Sequence, residues 1–458
     1  MKAHILALFF PLSTVSAEGS FDESSFFQDS AQASAPGAIR ADTSRSAGAN
    51  IVAAVAESGP KVTFSGDLFA VGQTSWRKDG IDTASAAGSQ LVGDATVEAR
   101  LSTGSRVMAI FEVDQDVTHD SSSFHVREMF VDGNVGDGLV WIRAGKQVLQ
   151  WGRGILWTPT DLVNVEGQTL VARAGSREGA SGLRLQVPVG QAANIYGFVN
   201  LSHVDAFDSL SAAWRAEAAV GPAEIAVSGW HKQNAPTALG LDGSTGVLGW
   251  DVQAGALWLS GDMSARPVVD ANGQWALERD ESRQQVRAGG GVGKAFTVLG
   301  DPERLRLDFE GFWQSDPIGS SVLKDGTKRT WAPRFQAAPT NVSTSIGNFQ
   351  VLPPSRNSDE ASFVLAQGLY VPNQISWGYV AGMASFQKFF VQDLTLTLQA
   401  LENLEDGSGV STVGLSWTTF HRFTAQLTGY WFWGGHRGEE TFLSGSGPAL
   451  DARAGIRF

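Results

Sequence analysis

The ten residues from 449 to 458, Ala-Leu-Asp-Ala-Arg-Ala-Gly-Ile-Arg-Phe, alternate without a break. Leu450, Ala452, Ala454, Ile456 and Phe458 form one set; Asp451, Arg453, Gly455 and Arg457 form the other. A period of two sends successive side chains to opposite faces of a strand, so this segment has one apolar and one polar face. Alone, such a strand leaves its apolar face and both backbone edges without partners. Rolling a sheet into a cylinder removes the edges, and hydrocarbon outside with water inside suits both faces. That requirement organises the rest of the chain.

The 458 residues contain no Cys, so stability cannot rest on disulfides. Past residue 17 no stretch approaches the roughly 20 apolar residues of a spanning helix. The remaining options are a water-soluble protein or a closed barrel, and 53 Gly, 15 Trp and apolar residues dispersed in alternation favour the barrel. A formal charge of -13 with no basic stripe argues against nucleic acid. Residues 1–17 read as a secretory signal, with Lys2, an apolar run over 5–12 and small residues at Val15, Ser16 and Ala17. Residues 18–60 are rich in Ser, Ala, Gly and Asp and too poor in apolar side chains to form a core. They are expected to be a flexible periplasmic extension.

From residue 61 to 458 the pattern predicts an all-β chain, a transmembrane antiparallel barrel. Expected strands cover 62–76, 91–101, 106–117, 124–135, 139–149, 179–187, 192–202, 210–219 and 224–231. They continue over 238–244, 250–260, 283–297, 304–315, 376–390, 394–402, 410–420, 423–433 and the terminal segment. The count is about eighteen, an even number as bacterial single-chain barrels have. Losing one pair near 238–244 or 316–375 gives sixteen. Connectors alternate short and long, with loops at 77–90, 150–178, 261–282 and 316–375. That asymmetry matches short periplasmic turns and long outer loops.

Charged residues fall on the face opposite the apolar one. The expected lumen set is Arg100, Arg143, Arg184, Arg215, Arg287, Arg304 and Arg306 with Glu98, Glu112, Asp114, Glu217, Asp308 and Glu310. A charge turned towards lipid would cost about 2–4 kcal/mol at mid-membrane, which dictates the sidedness. Trp76, Trp151, Trp417, Trp431 and Trp433 sit near expected strand ends, where interfacial girdles form.

The most distinctive stretch runs from Gly145 to Asn164, GKQVLQWGRGILWTPTDLVN. Thr158, Pro159 and Asp161 have the pattern of a helix start: cap, first-turn proline and an acid at the positive dipole end. A capped helix in a barrel loop suits a loop folded inward. Residues 150–167 are therefore expected to narrow the lumen, with Arg153 and Asp161 as polar lining. The spacing Gly-x-Gln-x-x-x-Trp-Gly-x-Gly, then Pro-x-Asp-x-x-Asn, is carried by Gly145, Gln147, Trp151, Gly152, Gly154, Pro159, Asp161 and Asn164. It resembles a motif of porin-like Gram-negative outer-membrane barrels of unknown function, in the style of alginate-export barrels. Asn164 is followed here by Val165, where the common form has Pro. The chain's ending likewise resembles the C-terminal signal by which outer-membrane barrels are recognised for assembly. The resemblance implies a barrel in the bacterial outer membrane and transport, without a substrate.

Three other signals lead elsewhere. Gly289–Lys294 has the look of a phosphate loop, but Ala288 stands at the first glycine and Ala295 where a hydroxyl would hold magnesium. Small residues easing strand curvature or lumen packing explain it better. His119, Asp120, Ser121 and His125 lack a nucleophile elbow and are too close in sequence to face one another as a triad. Asp114, Asp116 and Asp120 lack the glycine and terminal glutamate of a calcium loop. No cofactor, no metal and no enzyme activity are expected. The expected function is a channel for a small polar or amphipathic solute, with lipid around it. The alternative is a plugged structural or assembly barrel that works with a periplasmic or inner-membrane partner.

Overall fold

The computed structural model describes residues 61–79, 82–101, 105–118, 120–136, 138–149, 151–163, 178–202, 210–232, 236–262, 266–269, 275–323, 373–419, 422–435, 438–444 and 447–458, with 343–344, 347–348, 364 and 371. The expected signal (1–17), the extension (18–60), His119, Gln150 and Asn164 lie outside the described residues.

Eighteen antiparallel strands form one sheet. They are β1 (Lys61–Asp79), β2 (Asp82–Arg100), β3 (Arg106–Asp116), β4 (Ser121–Val135), β5 (Val140–Gln147) and β6 (Ala180–Val189). Next come β7 (Ala193–Asn200), β8 (Ser211–Val220), β9 (Ala223–Lys232), β10 (Thr237–Val247), β11 (Trp250–Ser260) and β12 (Gln284–Val298). The last six are β13 (Asp301–Gln314), β14 (Gly378–Phe386), β15 (Leu394–Asn403), β16 (Gly409–Thr419), β17 (Phe423–Trp433) and β18 (Gly447–Arg457). Each strand pairs with the next, and β18 returns to β1 from Ser75↔Ala449 to Asp67↔Arg457. Two backbone bonds, Gly66 N to Phe458 O (3.0 Å) and Phe458 N to Gly66 O (2.9 Å), finish the seam. The cylinder is closed. The sixteen-strand alternative fails because β10, over 238–244, pairs along its length with both neighbours.

One loop is corrected. Residues 77–90 are strand: β1 and β2 stay paired up to Asp79↔Asp82. The run Thr83-Ala84-Ser85-Ala86-Ala87 has no apolar alternation for a period-two reading to detect, yet its backbone still satisfies itself in the ladder.

Short turns gather at one end and the long insertions at the other. Two of the short turns, Leu248-Gly249 and Leu299-Gly300, have both central residues at positive φ (53° and 74°, 54° and 82°). That geometry matches the twist of the flanking strands.

The outer face is apolar. On β11, Trp250, Val252, Ala254, Ala256 and Trp258 point outward, while Asp251, Gln253, Leu257 and Leu259 are buried inside. The two tryptophans are eight residues apart, about 27 Å along the strand and roughly 20 Å after tilt, close to the ~25 Å apolar band of such barrels. Trp214, Trp313 and Trp431 are exposed near the long-loop ends of their strands, and Trp417, Phe423 and Phe458 near the short-turn ends. Trp76 is exposed on the outward face of β1, and Trp433 is half-buried beside Gly409. Trp151 is no girdle residue: it is 6% exposed and lies inside.

The interior also differs from a uniformly charged lining. Towards the long-loop end an apolar collar faces inward, made of Phe198, Ala213, Ala238, Leu257, Leu259, Phe312, Tyr379, Leu401, Val410, Tyr430 and Phe432. Arg100, Arg106, Arg143, Arg304 and Arg306 occupy positions nearer the short turns, whereas Asp114 and Arg287 lie towards the long-loop end. Alternation assigns a residue to a face, but it does not say that the inner face is wet along its whole height.

Candidate functional site

The collar has an occupant. The chain leaves β5 at Gln147, and its described residues 149 and 151–163 touch inward-facing positions around the barrel. Leu149, Trp151 and Val163 pack with Ala180, Phe198 and Ala213 of β6 to β8. Leu162 packs on Ala238, Leu257 and Leu259 of β10 and β11. Trp157 joins Phe312, Tyr379, Leu401, Val410, Tyr430 and Phe432 of β13 to β17, its ring 6.1 Å from those of Phe312 and Tyr379. Leu149, Trp151, Ile155, Trp157 and Val163 are each at most 6% exposed, and full burial of such a side chain contributes about 1.5–3 kcal/mol.

The glycines of the motif allow the tight path. Gly152 has φ +93°, and a Cβ there would sit 2.9 Å from Thr158 Cβ. Gly145 (φ +126°) lets the Met129 carbonyl approach its Cα. The wall is smoothed to match. A Cβ at Gly289 would lie 3.2 Å from Pro159 Cγ, and one at Gly240 2.8 Å from Thr160 Cγ2. Within the glycine run, Gly289 is thus a seat for the loop, while Gly291 and Gly293 make room for the side chains of Glu310 and Asp308.

Polar contacts hold the loop in place. Glu310, buried on β13, accepts the backbone N–H groups of Ile155, Leu156 (2.7 Å) and Trp157 (3.4 Å), and the Gln253 amide (2.7 Å). Charge-assisted bonds of this kind are worth roughly 1.5–3 kcal/mol each. Arg153 donates to Glu224, with Asp242 at 3.4 Å and Glu217 at 3.9 Å. Thr160 Oγ1 donates to Asp242 Oδ2 (3.3 Å), and Trp157 Nε1 to the Asn373 carbonyl (3.0 Å). The Asn373 N–H in turn donates to Glu439, at the start of α1 (Glu439–Ser444), which also accepts from Tyr379 OH (2.7 Å) and Asn403 Nδ2 (2.8 Å).

The expected helix start is corrected. Residues 158–161 form a turn closed by Asp161 N to Thr158 O (2.9 Å), and Asp161 Oδ1 accepts from Val163 N (3.4 Å). Proline suits the second position of a turn as well as the first turn of a helix, so Thr-Pro-Thr-Asp reads both ways. Here the side chains of Trp157, Thr160 and Leu162 each reach a different wall, which a helical path would not allow.

The wall charges are mostly compensated. Arg106 and Arg143 share Asp132 (3.0 and 2.6 Å), and Arg143 stacks on Phe130 at 4.0 Å. Arg215 makes a buried two-pronged pair with Asp242 (2.6 and 2.8 Å). Arg306 meets Asp308 (2.8 Å) and Asp251 (3.1 Å), Arg304 meets Asp301 (3.3 Å), and Arg100 meets Glu98 (2.8 Å). Glu112 pairs with Arg127 on β4, and Asp114 faces inward beside them on β3. Arg184 lies opposite Arg143 in register and donates to Gln186 (2.6 Å). Asp132, Asp242 and Asp251 were missed by the sequence reading, though alternation along their strands puts them inward. Arg127 was not legible, because a bulge opposite Ile110/Phe111 shifts its register.

A model of the family described as protein of unknown function (DUF1302) matches residues 60–219. No curated protein sequence matches the chain. Among solved structures, Acinetobacter baumannii OccAB1 aligns over 86% of this chain and 96% of its own at 11% identity and TM-score 0.50. OccK8 (OprE) of Pseudomonas aeruginosa aligns over 87% and 98% at 8% identity and TM-score 0.51. The outer membrane protein OprD of the same species aligns over 86% and 93%, at 8% and 0.48. By fold the molecule is a closed eighteen-stranded β-barrel of the outer-membrane porin kind. At such identities the likeness is one of architecture.

Proposed function

We propose that the protein is an outer-membrane channel for a small polar or amphipathic solute, with its lumen narrowed by the loop around 150–167. One observation carries the reading: residues 149 and 151–163 contact inward-facing positions from β6 to β17 and are held there by Glu310 and Arg153. Where the fixed charges lie inward and in pairs, they give a stiff polar wall, and such a conduit selects by width and field rather than by chemistry. The proposed lining is Arg143, Arg184, Glu112, Asp114, Arg304, Arg306 and Asp308, with Arg153 and Asp161 from the loop. The Gly145–Asn164 motif supports the same reading, because its glycines permit the inward path.

The test is single-channel recording of the full chain in a planar bilayer. The native protein is expected to conduct in small steps. Glu310→Ala, which frees three backbone N–H groups of the loop, is expected to raise the step size and the noise. Absence of conductance in the native protein and after removal of 152–162 would defeat the channel reading.

A further inference from the structure

Arg287 is set apart from the other lumen arginines. It points inward from β12, in register with Leu257 on one side and Gln314 on the other. Among the described residues it is the inward-facing arginine that forms no hydrogen bond and no ion pair, and its Nε is buried without a partner. Its neighbours offer none: Leu257 and Leu259 are apolar and buried, and the Gln314 amide donates to the Gln374 and Ser376 carbonyls. The side chain itself is half-buried, so a solute in the lumen reaches it.

Its position is informative as well. β12 runs from its long-loop end at Gln284 towards the short-turn end at Val298, and Gly289 is where the loop residue Pro159 sits. Arg287 is two residues, about 7 Å, to the long-loop side of that seat. A solute arriving from that side meets Arg287 before the loop. Of the other inward arginines, Arg184 is bonded to the neutral Gln186, and those that follow have their charge answered by a carboxylate. Arg215 is answered by Asp242, Arg306 by Asp308 and Asp251, Arg453 by Asp451 (2.7 Å) and Arg457 by Asp67 (3.0 Å). A guanidinium whose partner is a fixed carboxylate presents little net field to a passing ion, whereas an unanswered one presents its full charge in a low-dielectric wall.

We propose that Arg287 is the residue by which the channel recognises an anionic group on its solute, a carboxylate or a phosphate, and that the paired arginines serve the wall rather than selection. The proposal rests on the channel reading above. A planar guanidinium beside apolar side chains offers parallel N–H donors to either oxyanion.

The experiment is the reversal potential of the full chain in a potassium chloride gradient, with heat-modifiable mobility on gels showing that each variant has folded. Arg287→Gln is expected to lower the anion-over-cation permeability ratio by about three-fold or more, since one unscreened charge leaves a narrow site. Arg287→Lys keeps the charge and is expected to retain most of the ratio. The double variant Asp451→Asn/Arg453→Gln removes a paired charge and is expected to leave it unchanged. Acetate and inorganic phosphate, added separately, tell the two oxyanions apart: the one whose block of the chloride current weakens in Arg287→Gln is the group recognised. An unchanged ratio and unchanged block in Arg287→Gln overturn the inference while leaving the channel intact. A native protein without conductance defeats the channel reading first, and so is a distinguishable failure.

Discussion

At the scale of single residues the protein is governed by what each inward charge has for a partner. Arg215 and Asp242 are 2% and 3% exposed and bonded through both guanidinium prongs. Removing one member leaves the other buried and uncompensated, which costs about 3–5 kcal/mol, whereas replacing both by apolar groups costs far less. Asp242→Ala is therefore expected to lower stability by about that amount, and Arg215→Met/Asp242→Leu to recover most of it, measured by denaturant unfolding in lipid vesicles. Asp242 also holds Thr160 of the loop, so the single variant should additionally raise channel noise. Arg215 was legible in the sequence from alternation alone. Its partnership with Asp242 was not, because β8 and β10 are brought within reach only by the register of β9 between them.

At the scale of elements, the strands are two-sided and the energies of the two sides differ sharply. Ala254 and Ala256 lie on the outward face of β11 between Trp250 and Trp258. Ala254→Arg, midway between the two tryptophans, is expected to destabilise the folded barrel by about 2–4 kcal/mol, and a substitution to Leu to be tolerated, in the same vesicle measurement. All eighteen strands follow from the period-two pattern, because that pattern is the physical requirement of a wall between lipid and water. What the pattern missed were the parts that answer to something else. The polar extension of the β1–β2 hairpin is held by its own ladder. The turn at 158–161 answers to three separate walls. The bulge at Arg127 answers to Glu112.

At the scale of the whole molecule, closure depends on the last strand. β18 bonds both β17 and β1, and Phe458 completes the seam against Gly66. Without it two edges would be left open in hydrocarbon, where unpaired backbone groups cost several kcal/mol each. Deletion of residues 447–458 is expected to abolish the heat-modifiable folded form on gels. Deletion of Phe458 alone is expected to weaken it. Survival of the folded form in the longer deletion would mean that the seam is not needed for closure. The interior collar belongs to this scale too. It is spread over strands from β6 to β17, and it becomes one surface only when the cylinder brings those strands round.

Period-two alternation, with charge on one face and hydrocarbon on the other, was enough to call for a closed membrane barrel of about eighteen strands and to sort the faces of its regular strands, while the pairing of β10 excluded sixteen. It did so because burial in lipid penalises every residue that breaks the rule. Which inward residues meet was decided by the tertiary structure alone. Contacts across a lumen join positions more than a hundred residues apart, as Glu310 with Leu156 does, and no local pattern encodes them. The same geometry left Arg287 unpaired, and nothing in its sequence neighbours distinguishes it from the arginines that found a partner.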